Sequence, residues 1–320
     1  MALTLNFLYF IIFCSIYCVK SEKCQLQGSC QDDKKFQSPI NIQCDYHKKT
    51  SAHHTTNNEF LPLELENFNT NPDVTITNTG HTLKSMQTKK RPFIKGGPLK
   101  KKYNFAQLHF HWGSTDNEGS EHQVDGKKFP MECHFVFSRS YEKNNMKGCT
   151  IEKKSRKSCN VETETVQRTL NGNQCGKLTK RTNEAVRSSN QNVTVNVVLG
   201  VLFVISDNAT KYDLLEEAKY VVEVNSTINK RGKFISQLVS AMNLTNYFTY
   251  SGSLTTPPYS TNVIWIVLQD PLPVSSDQLA LLRELKSDEE GPITENFREI
   301  QELYDRVVCY KQSETKPRIC

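Results

Sequence analysis

The sequence predicts a mainly β (α+β) fold. It is read as a single domain on a large central, mostly antiparallel β-sheet, with a few short peripheral helices and one long basic insertion. Three observations carry that expectation. Apolar, β-branched and aromatic residues recur in short runs, several of them alternating with the period of two that marks a strand with one buried face. Turn-forming Gly, Pro, Asn and Asp bound those runs. Only three stretches keep the spacing of an amphipathic helix.

Taken in order, FLPLELENF (60–68) sets Leu61, Leu63 and Leu65 against Glu64 and Glu66, as a half-buried strand does. DVTITN (73–78), NFAQLHFHW (104–112), FPMECHFVFS (129–138), VTVNVVLGVLFVIS (193–206) and NVIWIVL (262–268) continue the series. The helical stretches are YDLLEEAKYVVEV (212–224), KFISQLVSAM (233–242) and SSDQLALLREL (275–285), the last opening on a capping box of Ser275 and Gln278. Residues 143–192 are polar, basic and aperiodic, and they carry Cys149, Cys159 and Cys175. A stretch of that length without structural pattern reads as an insertion between two strands, either functional or a tolerated surface segment.

The chain opens on LTLNFLYFIIFCSIYCV, an apolar run ended by Lys20, and Val19 and Ser21 suit the positions before a signal-peptidase cut. Residues 1–21 are therefore expected to be a signal peptide and 22–320 the mature, secreted, extracellular chain, with no stable membrane span. Sequons at Asn192, Asn208, Asn225 and Asn243 are candidate glycosylation sites. Of 11 cysteines, Cys14 and Cys18 leave with the signal. The odd number that remains predicts disulfides plus one thiol that is free or paired between chains.

The net charge of +6 is unevenly placed: eight Lys or Arg and no acid lie between Lys84 and Lys102, and residues 142–191 alone carry eleven Lys or Arg against five acids. Such runs are solvated loops or, alternatively, surfaces for extracellular matrix, polyanion or mineral. No nucleic-acid motif accompanies them, and composition and pattern exclude a coiled coil, a repeat array and a fibrous protein.

The chemistry concentrates in the histidines. His109 and His111 share one strand face, because strand side chains alternate. His134 lies in a later strand, across a connection rich in glycine, and an antiparallel neighbour would bring it opposite the first pair. Three neutral imidazoles converging in this way hold a divalent metal and leave a fourth tetrahedral position open, the arrangement of catalytic zinc. The alternative from spacing alone is a set of structural histidines.

QSPINI (37–42), NTGHT (78–82), KGGPL (95–99), QLHFHWGS, EGSEHQVDGKKFPMECHF, VLGVLFV, YSGSLTTPP, VIWIVL, VSSDQLALLREL and NFREIQELYDRVV resemble, in order, signatures of the α-class carbonic anhydrases. The resemblance runs from Phe36 to Val308, broken by the basic insertion. It implies a zinc (Zn2+) lyase that interconverts carbon dioxide and bicarbonate by attack of zinc-bound hydroxide, with histidine proton shuttling. His109, His111 and His134 would be the metal ligands, oriented by Gln107 and Glu132. Val136, Val198, Leu254 and Trp265 would line the substrate wall, and Thr256 would contact bicarbonate. Thr255 would accept a hydrogen bond from the hydroxide and donate one to Glu121. His81 would carry the proton out, and His122 would have a structural role.

Departures from the family pattern are equally specific. No segment rich in Trp and Tyr precedes QSPINI, and Thr79 and Lys84 stand where polar amides line the family's cavity. Tyr259 replaces a cysteine that secreted members use after TTPP, so Cys30 or Cys44 is expected to pair with Cys309 or Cys320. The rival reading is a non-catalytic or dual-role matrix protein, for example in biomineralisation. Nacrein-like shell-matrix proteins also carry an insert that splits the domain, though this one is basic and lacks Gly-Asn repeats. Retention of all three histidines favours the enzyme.

Overall fold

A computed structural model describes residues 34–44, 54–56, 60–68, 71–87, 91–142, 192–209 and 211–311. The expected signal peptide, nearly all of the insertion, and Cys30, Cys149, Cys159, Cys175 and Cys320 lie outside the described residues. The chain divides into two compact units, residues 1–139 with 194–320 and residues 140–193. Every candidate metal-binding and substrate-binding residue belongs to the first.

In chain order the strands are β1 (Asn41–Ile42), β2 (His54–Thr56), β3 (Leu63–Glu66), β4 (Asp73–Asn78), β5 (Leu83–Gln87), β6 (Phe93–Gly96), β7 (Leu99–Trp112), β8 (Gln123–Val124), β9 (Met131–Glu142) and β10 (Asn192–Ile205). Helix α1 (Asp213–Glu216) follows and tightens into a 3-10 turn over Glu217–Tyr220, then come β11 (Thr227–Arg231) and α2 (Phe234–Ala241). The remainder is β12 (Tyr247–Ser253), β13 (Thr261–Leu268), β14 (Leu272–Val274), α3 (Ser276–Arg283) and β15 (Val308–Lys311).

One mixed sheet runs β11-β4-β5-β7-β9-β10-β13-β12-β15-β2, with β14 beside β10, β6 beside β7 and β3 beside β6. The pairs β4/β5, β5/β7, β7/β9 and β12/β13 are antiparallel, whereas β10/β13 and β15/β2 are parallel. The expected large, mainly antiparallel sheet is therefore what the chain forms.

The long β7 changes character along its length. Lys100, Lys101 and Lys102 are exposed at its start, while Leu108, Phe110 and Trp112 are wholly buried at its end. Strand β10 is buried on both faces: Val197, Leu199, Val201 and Phe203 enter one hydrophobic cluster, and Val198 and Leu202 enter the other. A strand covered on both faces reads as a continuous apolar run, which VNVVLGVLFV is. Phe110, Cys133 and Phe135 join the first cluster. The histidines that alternate with them on β7 and β9 therefore face the side of the second.

Three local expectations are corrected. Leu61 falls outside β3 and is 67% exposed, so the alternation starts at Leu63. The helix expected over 212–224 ends at Tyr220, because Val221 leaves helical geometry to bury its β-branched side chain. The Ser275 hydroxyl does accept the Gln278 backbone N–H at 3.2 Å. The Gln278 amide, however, bonds the Tyr212 carbonyl and the Glu216 carboxylate, at 3.1 and 3.0 Å, and ties α3 to α1 instead of closing the box.

Cys44 and Cys309, two of the residues expected to enter a bridge, are both disulfide-bonded. Cys133 is a free, buried thiol. At Gly252 the backbone approaches so closely that a Cβ would stand 2.1 Å from the Ser38 hydroxyl.

Candidate metal centre

Strand pairing makes the site. In the β7/β9 register His109 lies directly across from His134, and His111 follows two residues along on the same face. The ring centroids are 4.9 Å apart for His109–His111, 5.2 Å for His109–His134 and 4.5 Å for His111–His134. One ring nitrogen from each lies within 4.8 Å of the other two.

Each imidazole commits its remaining nitrogen elsewhere. His109 Nδ1 donates to Gln107 Oε1 at 3.1 Å, His111 Nδ1 to the Asn296 carbonyl at 2.8 Å, and His134 Nε2 to Glu132 Oε1 at 2.8 Å. These bonds fix the tautomers and turn His109 Nε2, His111 Nε2 and His134 Nδ1 toward a common point. His111 Nε2 is buried and has no hydrogen-bond partner. An orphaned buried acceptor of this kind costs about 1–3 kcal/mol unless something binds it. Three neutral nitrogen donors on a rigid sheet fit zinc.

The electrostatics favour the neutral form for two of the three imidazoles, and the third is tied to a carboxylate. Burial pushes the His109 imidazole well below its ordinary value, reinforced by His111, His134 and the Lys84 cation. Burial also lowers His111, against the pull of Glu121. For His134 burial acts downward, but the Glu132 charge and hydrogen bond outweigh it and the net direction is up. Burial would raise Glu132, yet His122 and His134 hold its carboxyl well below the usual carboxylate range.

His122, Glu132 and His134 form a second group with metal-ligand spacing, but its atoms are already engaged. His122 Nδ1 donates to Glu132 Oε1 at 2.7 Å, and His122 Nε2 pairs with the Tyr250 hydroxyl at 2.7 Å. Glu132 Oε2 takes the backbone N–H groups of Glu121 and His122, at 2.9 and 2.8 Å. This group braces His134 through Glu132, and both ring nitrogens of the buried His122 are occupied within it. Gly200 leaves space for it: a Cβ there would sit 2.9 Å from Glu132 Oε1.

The four residues assigned to the substrate wall converge. Val198 and Trp265 belong to the second hydrophobic cluster, and the half-buried Val136 and Leu254 pack against it. The Trp265 ring lies 4.9 Å from His134, with its Nε1–H donating to the Ser253 carbonyl at 2.9 Å. Thr255 is buried and Thr256 exposed.

The bond expected from Thr255 to Glu121 is not formed. Glu121 Oε1 accepts the Arg298 backbone N–H at 2.9 Å, and Oε2 lies 3.7 Å from His134 Nδ1, buried and without a hydrogen-bond partner. His81 is exposed on its loop, and Lys84 pairs with His109 in the β5/β7 register.

Two important residues carried no sequence assignment. Asn296 supplies the carbonyl for His111, and its side chain bonds Trp112 N–H and the carbonyls of Phe110 and His81 at 2.7, 3.0 and 2.8 Å. The Arg298 guanidinium stacks 3.8 Å over Tyr259 and donates to Gln37 and Ser38, fastening the loop after Thr256. Both lie in NFREIQ, a motif that had supplied resemblance but no role.

A mixed sheet that presents three imidazoles to one point beside an apolar wall has the donor set of a three-histidine site able to hold a metal ion. The chain belongs to the eukaryotic-type carbonic anhydrase family, whose sequence model matches residues 21–163 and 173–312. It is 32% identical over 278 residues to carbonic anhydrase 7 of Mus musculus, covering 85% of this chain and 87% of that one. Against carbonic anhydrase 1 of Oryctolagus cuniculus it is 29% identical over 277 residues, covering 85% and 97%. The family match extends into both ends of the segment read as an insertion and breaks only between 163 and 173.

Proposed function

We propose that this protein catalyses the reversible hydration of carbon dioxide to bicarbonate and a proton, using zinc held by His109, His111 and His134. The observation that carries this reading is the convergence of three imidazoles whose outer nitrogens are all committed, with His111 Nε2 buried and unpaired. Bound there, zinc supplies Lewis-acid activation of a water molecule toward carbon dioxide.

The chain's own residues do the rest. Gln107, Asn296 and Glu132 hold the ligands in one tautomer each. Val136, Val198, Leu254 and Trp265 exclude bulk water and receive an uncharged, apolar substrate. Glu121 Oε2, a buried acceptor, is available to the Thr255 hydroxyl once that hydroxyl is engaged by the nucleophile, and Thr256 meets bicarbonate. His81 accepts the proton and passes it to solvent buffer. Retention of the ligands together with their orienting partners favours catalysis over the non-catalytic matrix reading.

The proposed mature chain is 22–320, secreted after loss of residues 1–21, with the domain carrying a basic segment at 143–192 that contacts matrix or polyanion. The disulfide-bonded Cys44 and Cys309 support an oxidising compartment. Asn208 and Asn225 are exposed and open to glycosylation. Asn192 opens β10, and the Asn243 amide nitrogen is engaged by Asp270, which makes Asn243 the least available sequon.

Stopped-flow carbon dioxide hydration combined with zinc stoichiometry tests the central claim. The wild type should carry a single equivalent of zinc and turn over, and His111→Ala should lose both properties. A folded wild type that binds no zinc overturns the proposal.

A further inference from the structure

His81 is exposed, its side chain 74% accessible, yet its Nε2 lies 3.2 Å from Asp288 Oδ2. An ion pair between two long, mobile surface side chains contributes little. Here both backbones are held in place. The Asp288 N–H donates to the Gly80 carbonyl at 3.2 Å, and Asn78 Nδ2 donates to the Val222 and Lys286 carbonyls at 2.8 and 3.0 Å. Gly80 adopts φ +83°, and a Cβ on it would come within 2.9 Å of Asp288 Cβ, so the two loops touch backbone to backbone. Little conformational freedom remains to be lost when the carboxylate meets the ring.

The same loop is fastened to the ligand strand. Thr82 Oγ1 donates to the Phe110 carbonyl at 2.6 Å, and Asn296 Nδ2 bridges the carbonyls of His81 and Phe110. His81 is thus one side chain removed from the strand segment that carries His109 and His111. Among the described residues Asp288 is the one carboxylate in ion-pair contact with it, while the neighbouring Lys286 is taken by Glu223 at 2.6 Å.

We infer that Asp288 is a positioning residue for proton export through His81, an assignment that rests on the reading of His81 as the proton carrier. A neutral imidazole has one N–H. With that proton on Nε2 and donated to Asp288, the lone pair is left on Nδ1, which accepts the proton arriving from the site. The imidazolium then gives the Nδ1 proton to a buffer base, and the ring returns to the tautomer it started from, with one proton taken in and one released. Asp288 sets the ring's rotamer and tautomer and itself takes no proton.

The test uses the zinc-loaded full chain as wild type, Asp288→Ala, Asp288→Asn, His81→Ala and the His81→Ala/Asp288→Ala double variant. In dilute buffer, where proton export limits turnover, Asp288→Ala should lower kcat by about five-fold, less than the 10²-fold or more that a missing general acid–base group costs. The value of kcat/KM should hold, saturating imidazole should restore kcat, and Asp288→Asn, which keeps an acceptor, should fall between. The double variant should be no slower than His81→Ala. Independently of turnover, ring 15N shifts should report the Nε2–H tautomer of His81 in the wild type and a mixture in Asp288→Ala. Unchanged kcat and unchanged 15N shifts in Asp288→Ala overturn the inference, as does a loss of kcat that imidazole leaves in place. If His81→Ala itself runs at wild-type rate in dilute buffer, the proton-carrier reading fails. If His81→Ala slows and Asp288→Ala does not, only the role of Asp288 fails.

Discussion

The ligand shelf on β7 and β9 and the rim carrying His81 are built on opposite principles. On the shelf, Glu132 accepts four hydrogen bonds from His122, His134 and two backbone N–H groups, all wholly or almost wholly buried. On the rim, His81 and Asp288 meet in solvent, held by what their backbones do. Buried polar networks are costly to break because each abandoned partner stays desolvated. Exposed contacts are cheap to break because water replaces them. The shelf should therefore answer to mutation in stability and metal content, and the rim in rate.

The hardest blow to that contrast falls on Glu132. Glu132→Ala strands two imidazole N–H groups and two backbone N–H groups, and should cost about 3–5 kcal/mol, as removal of one member of a buried charged pair does. Denaturant melts alongside zinc analysis would register it. A loss under 1 kcal/mol would show that the shelf tolerates what the rim tolerates.

Gly200→Ala leaves every charge in place and only pushes on Glu132 Oε1. It should weaken zinc binding by about 10- to 100-fold, the usual cost of disturbing a residue that orients a ligand. Competition against a chelator gives the number.

A third effect is spread over the molecule. Burial raises the Tyr212 phenol to about 12, and also raises Tyr247 and Tyr250, the latter part of the shelf through His122. The folded state binds these protons more tightly than the unfolded one, so the stabilisation is whole below about pH 10 and drains away as pH rises through the folded-state values. Denaturation midpoints between pH 9 and pH 12, followed with tyrosinate absorbance, should fall together.

The smallest effect is assigned to Tyr259→Ala. It removes the stacking of Arg298 on a partly exposed ring, worth about 0.5–1 kcal/mol, and should raise KM more than it lowers kcat.

Much of the shelf was legible because the relevant strands alternate or run apolar. DVTITN forms β4 over the residues expected, and the period of two places Gln107, His109 and His111 on one face of β7 and Glu132 with His134 on one face of β9. The strands that escaped lack that signal. TINKR in β11 is exposed or half-buried throughout, and its side-chain bonds to β4, Thr75 with Asn229 and Thr77 with Thr227, leave no hydrophobic trace. YFTYSGS in β12 is buried at nearly every position, so nothing alternates. Asn296 and Asp288 reach the site by chain closure over 185 residues or more, a distance at which no spacing rule operates. The Thr255–Glu121 bond that the resemblance implies is not formed, even though the Arg298 N–H takes only Oε1 and leaves Oε2 without a partner. No spacing rule reaches such a detail of side-chain placement.

The free sulfur of Cys133 occupies the strand that bears His134, one position away and on the opposite face, packed into the main core with its thiol pushed up by burial. Alkylating reagents have no route to it while the sheet is closed. Its labelling rate is therefore a clock on how often the metal-bearing strands part, read from one atom and without reference to turnover.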